Sequence, residues 1–264
     1  MPDLAIIFVL MNKPYTLKKS LGQHFLHDEN VCRKIVEQIE YTSGKQLLEI
    51  GPGGGALSKY LINQPGIDYK AIEIDEEKVQ YLQKTYPAMT GKIIMQDILK
   101  ADIPFEGPFS VIGNFPYNIS SPIMFTMLDW EPQVQDIIGM FQKEVAQRIA
   151  AGPGSKMYGI LSVLTQVYFK VEYLFDVDNK CFTPPPKVMS GVVRFTNINN
   201  PHGVVHFKKL KTLVKAAFNQ RRKTLRNALR STLPAEALTD PLMDKRAEQL
   251  SVSDFIYLHR TYQP

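Results

Sequence analysis

The stretch from Leu47 to Ser58, LLEIGPGGGALS, runs an apolar segment into a glycine-rich turn and then into a helix-forming sequence. Leu47, Leu48 and Ile50 around Glu49 read as a buried strand, and Leu57, Tyr60, Leu61 and Ile62 fall at helical spacing beyond the turn. Between them, Gly51, Gly53 and Gly55 let backbone approach a ligand where side chains would block it. The order is E-x-G-x-G-x-G and not the dinucleotide pattern G-x-G-x-x-G. Taken alone, such a turn is as compatible with tight chain reversal as with a ligand cradle.

Outward from this unit the same alternation repeats. YKAIEID (69–75) is a strand, Glu76 to Lys84 a helix, and GKIIMQD (91–97) and FSVIGN (109–114) are further short apolar runs ending in polar residues. Strands alternating with helices imply a parallel α/β sheet. Ligands bind outside the carboxyl ends of such strands, where Glu49, Glu73, Asp97 and Asn114 fall. Upstream, Asp28 is placed to cap a helix carrying Val31, Ile35, Val36 and Ile39. Downstream, a helix around Pro122 to Leu128, the strand QDIIGMF (135–141), a helix from Glu144 and the β-rich segments 162–177 and 191–198 complete the sheet. The turn-rich NINNPHG (197–203) reads as a linker. It divides a domain over 1–200 from a small helical domain over 201–264, where Phe207, Leu210, Leu213, Val214, Ala217 and Phe218 recur at helical spacing.

Composition sets outer bounds. With 44% apolar and 22% charged residues in 264, the chain is globular and neither disordered nor collagenous. Its net charge of +5 permits a polyanionic partner without requiring one. Cys32 and Cys181 are too few for a disulfide framework and lack metal-site spacing, so a reducing cytoplasmic location is expected. The apolar run near the start is shorter than the ~18 residues of a membrane span, so no membrane partner is expected. It reads as an extension upstream of a functional start at Met11.

The strand ends carry the chemistry. Glu73, about twenty residues past the glycine turn, can accept hydrogen bonds from both hydroxyls of a ribose, whereas Asp75 beside it reads as a helix cap. Asp97 can accept from the exocyclic amine of an adenine or begin a helix ILKAD (98–102) that follows it. These features fit nicotinamide dinucleotides and S-adenosylmethionine alike, and Asn114-Phe115-Pro116-Tyr117 separates the two. An amide, any residue, a proline and an aromatic suit methylation of an amino group whose lone pair is delocalised into a ring. The Asn114 side-chain oxygen and the Phe115 carbonyl each accept one N–H of that amine. Pro116 holds the backbone and Tyr117 offers a stacking face, worth roughly 1 to 3 kcal/mol for an unstacked base. No carboxylate base is required, because the attacking nitrogen is neutral.

LGQHFLHDENV, LLEIGPGGGALS, AIEID, QDIL, IGNFPYNISSPI, CFTPPPKVMSGVVRF and FNQRRKTLRNAL occur in this order between residues 21 and 229. Together they resemble the KsgA (RsmA) family of small-subunit ribosomal RNA adenine dimethyltransferases, over roughly residues 15 to 262. The resemblance implies a class I, Rossmann-like methyltransferase sheet with a small C-terminal helical domain. It also implies S-adenosyl-L-methionine as cofactor and, as partner, 16S rRNA within the small (30S) subunit, two adjacent adenosines near whose 3' end would each be dimethylated at N6. His24, Leu26, Gly51, Gly53, Glu73, Asp97 and Asn114 would line the cofactor site. Tyr117 and Phe182 would sandwich the target adenine. His24 stands where the family often has asparagine, and its ring can still donate or accept.

From Lys208 to Arg230 there are nine basic residues and no acidic one. Lys208, Lys209, Arg221, Arg222, Lys223 and Arg226 are the expected phosphate contacts, with Lys18 and Lys19 in support. A monomer is expected. The nearest alternatives are an Erm-type 23S rRNA adenine methylase and a non-catalytic RNA-binding protein on the same fold.

Overall fold

The computed structural model describes residues 24–40 and 44–262, so Met11, Lys18, Lys19 and the N-terminal apolar run lie outside the described residues. The elements are β1 (Phe25–Leu26), α1 (Glu29–Val36), β2 (Gln46–Ile50), α2 (Ser58–Leu61), β3 (Asp68–Glu73), α3 (Glu76–Thr85), β4 (Ile93–Met95) and β5 (Phe109–Asn114). There follow α4 (Ser120–Asp129), β6 (Val134–Gln142), α5 (Lys143–Ala150), α6 (Ile160–Gln166), β7 (Phe169–Val177), β8 (Phe182–Thr183), β9 (Ser190–Asn197), α7 (Phe207–Asn219), α8 (Leu225–Ala228) and α9 (Val252–Tyr262).

Seven strands form one sheet in the order β4-β3-β2-β5-β6-β9-β7. β2 to β6 pair in parallel, while β9 pairs antiparallel with both β6 and β7. From β2 the chain steps outward through β3 and β4, then returns to β5 on the other flank of β2. That reversal opens a crevice beyond the carboxyl ends of β2 and β5, where an α/β sheet binds ligands. The Rossmann-like sheet expected from the sequence is therefore present, with an antiparallel edge that the α/β alternation did not imply.

Local sequence accounts for most elements. Asp28 caps α1: its carboxylate accepts the Asn30 and Val31 amides at 2.9 and 3.0 Å, a contribution of about 1 kcal/mol. Asp75, by contrast, makes no side-chain cap to α3 and lies 3.8 Å from the buried Lys78 ammonium. The segment after Asp97 is a turn and not a helix.

Ser162 to Gln166 is helical, against the β-rich reading of that segment. Leu161 to Thr165 are buried all round α6, and a helix buried on every side presents the same unbroken apolar run as a buried strand. The Gly159 amide donates to Ser162 Oγ at the helix start, and Thr165 Oγ1 donates back to the Leu161 carbonyl, so the hydroxyls sit in a helix without unpaired cost.

The core beneath the sheet explains two glycines. Gly113 and Gly139 face each other in the β5–β6 ladder. A Cβ on Gly139 would meet the Phe141 and Phe115 rings at 2.6 and 2.8 Å, and one on Gly113 would meet Ile50 O at 2.6 Å. The Phe115 ring occupies that notch, wholly buried and edge-on to Phe141 at 5.2 Å. Leu210, Leu213, Val214 and Ala217 of α7 are buried in the same apolar cluster as residues of β5, α4 and α6. The segment 197–203 turns through Asn199 and Asn200, both with positive φ. Among the described residues no helix is long and apolar enough to cross a membrane.

Candidate active site

The crevice holds a cavity of about 240 Å³. It is lined by His24, Leu26, Gly51, Gly53, Glu73, Asp97, Asn114, Phe115, Pro116 and Tyr117, residues that the sequence scatters over more than ninety positions. Ile50, Ile72, Ile74, Ile98 and Leu99 supply apolar walls. These wall residues and Lys78 were not singled out from the sequence, since an apolar residue at a strand end carries no signal separate from core packing.

The glycine turn is shaped for close approach. Gly53 has φ +57, and a Cβ there would come within 3.3 Å of the Phe25 ring, so β1 lies directly across the turn. The Gly53 amide donates to Glu73 Oε2 at 3.2 Å, tying the end of β2 to the end of β3. Glu73 Oε1 also accepts the Ile74 and Asp75 amides, both at 3.0 Å. A carboxylate offers about four acceptor sites, so three backbone donors leave Glu73 one. Accepting both ribose hydroxyls therefore requires one of these three amides to release it. Asp97 uses Oδ1 to hold the Leu99 amide at 3.0 Å.

Behind Gly51, Glu49 is buried and takes a hydrogen bond from the Tyr69 hydroxyl. Burial pushes its carboxyl up to about 7, outweighing the Tyr69 bond that favours the charged form, and the Glu73 charge acts in the same direction as burial. This buried acid on the cavity wall is a feature that its place in a strand-ending motif pointed to only in part.

At the end of β5 the anchoring is clear. The Phe115 ring is locked in the Gly113–Gly139 notch, and the Phe115 amide donates to Met140 O at 3.2 Å. The backbone of the Asn114–Tyr117 tetrapeptide is thus held from below, with Pro116 Cδ resting near Gly51. Asn114 Nδ2 donates to the His24 carbonyl oxygen at 3.1 Å. A carbonyl only accepts, so the amide must present its nitrogen there, and Oδ1 is the atom left for a ligand. The Tyr117 hydroxyl bonds Ser190 Oγ, which fixes the tilt of its ring. Burial raises the pKa of that hydroxyl, against the Ser190 bond.

Phe182 lies beside the cavity and not in its wall. It sits in β8, paired with β1 at Leu26, and its ring is 2% exposed among Leu26, Ile35 and Val36. It does not line the cavity, and the ring against Tyr117 belongs to His24. A phenylalanine in a short paired strand buries its ring with its neighbours, whatever the stiffness of the prolines after it.

The basic residues also divide. Lys208, Lys209, Arg222 and Lys223 are exposed. Arg221 instead donates to the Ser155 and Lys156 carbonyls and lies 3.8 Å from Glu248, and Arg226 bonds the Leu238 carbonyl and Asp244. Those two guanidiniums clip loops together while remaining more than 40% exposed. Lys211 and Lys215 lie over the Phe125 ring of α4 at 4.3 and 5.6 Å. Among the described residues no cluster of three or more His, Cys, Asp or Glu could hold a metal ion.

The cavity suits an adenosine-bearing cofactor: apolar walls for a ring, acids at two strand tips and a side-chain-free turn between them. Comparison with known proteins agrees. The chain is 49% identical over 245 residues to a Cytophaga hutchinsonii protein named ribosomal RNA small subunit methyltransferase A, covering 91% of this chain and 95% of that one. A dimethyladenosine transferase from Plasmodium falciparum superposes with a TM-score of 0.76 at 25% identity, over 90% of this chain and 97% of the other. The 23S rRNA methyltransferase ErmE shares the fold, with a TM-score of 0.66 at 24% identity over 89% and 98%. The ribosomal RNA adenine dimethylase model matches residues 15–263, and the chain belongs to that family.

Proposed function

We propose that this protein dimethylates N6 of two adjacent adenosines in the hairpin near the 3' end of 16S rRNA within the assembling small subunit, acting as a cytoplasmic monomer. The observation that carries this reading is the convergence of the Asn114–Tyr117 tetrapeptide with Glu73, Asp97 and the glycine turn around one cavity. S-adenosyl-L-methionine, when bound there, supplies an electrophilic methyl group. Gly51, Gly53, Glu73 and Asp97 hold its nucleoside, and His24 and Leu26 close over it.

The remaining work falls to the end of β5. Asn114 Oδ1 and the Phe115 carbonyl each accept one N–H of the adenine amine, which turns the nitrogen lone pair toward the methyl donor. Tyr117 holds the ring by stacking, after the base has left its helical stack. The nitrogen attacks as a neutral group and loses its proton afterwards, so no buried base is called for. After the first transfer the nitrogen retains one N–H, and a single acceptor then suffices. Residues 1–200 form the catalytic domain in this reading and 201–264 the RNA-binding domain. Lys208, Lys209, Arg222 and Lys223 contact phosphates.

The test is methyl transfer to small-subunit particles from a strain lacking this modification, read by primer extension. Two adjacent stops near the 3' end of 16S rRNA are expected. Transfer confined to 23S rRNA, or none, overturns the proposal.

A further inference from the structure

The His24 and Tyr117 rings stack, with centroids 5.5 Å apart and planes inclined by 29°. Two rings already in contact leave no slot between them for a third. Yet the reading above needs a face of Tyr117 for the target adenine. His24 also touches the other group assigned to that base, since its carbonyl takes the Asn114 amide. Its Nδ1 lies 2.8 Å from the Pro184 carbonyl oxygen, and because a carbonyl only accepts, Nδ1 carries the hydrogen. An imidazole is the five-membered half of a purine, here with an N–H held by a backbone carbonyl.

We infer that His24 is a surrogate base, which occupies the adenine subsite on Tyr117 until the target adenine displaces it. The inference rests on the function proposed above and names the gate of that same site. The tether is light: one ring face and one hydrogen bond from the ring to the Pro184 backbone carbonyl. A stacked purine presents a larger face than imidazole and replaces it, whereas a smaller or poorly stacking base does not. His24 thus contributes to substrate selection. The ring leaves by rotation about its own side-chain bonds, so the His24 carbonyl keeps its hold on the Asn114 amide.

Two variants test this with opposite signs. His24→Ala uncovers Tyr117 and should lower the KM for small-subunit particles about threefold or more, whereas His24→Trp covers it with a stronger stacking ring and should raise KM by a similar factor. Cofactor affinity, measured in parallel by equilibrium dialysis, separates effects on the other half of the cavity. A purely structural role moves both variants in the same direction, and that result, or no change in either, overturns the inference. If the wild-type protein methylates no rRNA, the proposed function falls. The gate is then read directly, from His24 ring-proton resonances that the Tyr117 ring shifts upfield. Adenosine should relax them downfield, and resonances that stay in place while adenosine binds overturn the gate.

Discussion

The amide nitrogen of Asn114 lies 3.1 Å from the carbonyl oxygen of His24, so a residue ninety positions upstream decides which end of the Asn114 amide meets a ligand. Removing that amide should abolish the reaction while sparing the fold. Asn114→Ala is expected to lower kcat by at least about 100-fold, the loss typical of deleting one preorganised polar group. Circular dichroism and the denaturation midpoint should stay near wild type. Asn114→Asp sets a carboxylate oxygen against the His24 carbonyl oxygen in place of the amide donor, so it should lose activity and, through that repulsion, loosen the start of β1 as Asn114→Ala does not.

The Gly113–Gly139 notch predicts a coupled defect. Gly139→Ala places a Cβ at 2.6 Å from the Phe141 ring and 2.8 Å from that of Phe115, which should destabilise the protein by about 1 to 3 kcal/mol. Because Phe115 anchors the tetrapeptide, kcat should fall as well. Gly113→Ala should be worse, since its nearest contact is the backbone oxygen of Ile50, which cannot rotate away. Guanidinium denaturation alongside steady-state kinetics checks both.

Phe182→Ala separates a buried ring from a stacking ring. Loss of a 2%-exposed phenylalanine should cost about 3 to 5 kcal/mol of stability. Phe182→Leu should restore most of that stability and most of the activity, which a base-stacking role would not allow.

Glu49 makes stability depend on pH. Its folded-state pKa is raised to about 7 from the ordinary 4.5, so the folded protein binds more protons than the unfolded chain between those values. Its contribution is fully present below about pH 4.5 and is lost as pH rises through about 7. Glu49→Gln should flatten the unfolding free energy across this window, measured by urea titration at a series of pH values.

The basic segment should split into two kinds of residue. Replacing Lys208 and Lys209 with alanine should weaken RNA binding and reduce the slope of log affinity against log salt by about 1 to 2. Arg226→Ala should instead lower stability, because that guanidinium holds Asp244 and the Leu238 carbonyl. Filter binding over a salt series and thermal unfolding distinguish the two.

Much of this protein was determined by sequence alone. Strand ends, the glycine turn and the helix start at Asp28 are local features, set within a few residues by apolar runs, φ preferences and capping. The parallel alternation then brings Glu73, Asp97 and Asn114 to one edge by topology, so the candidate site was readable before any distance was known. Tertiary structure alone decided the rest. Ser162 to Gln166 is a helix because both its faces are covered, and periodicity vanishes when no face is wet. Phe182 is core because β8 pairs with β1, a contact between residues more than 150 positions apart. Arg221 and Arg226 are clips because acceptors from other segments reach them first. The ring on Tyr117 is that of His24. Each of these depends on which distant partner arrives, and a local pattern carries no record of that.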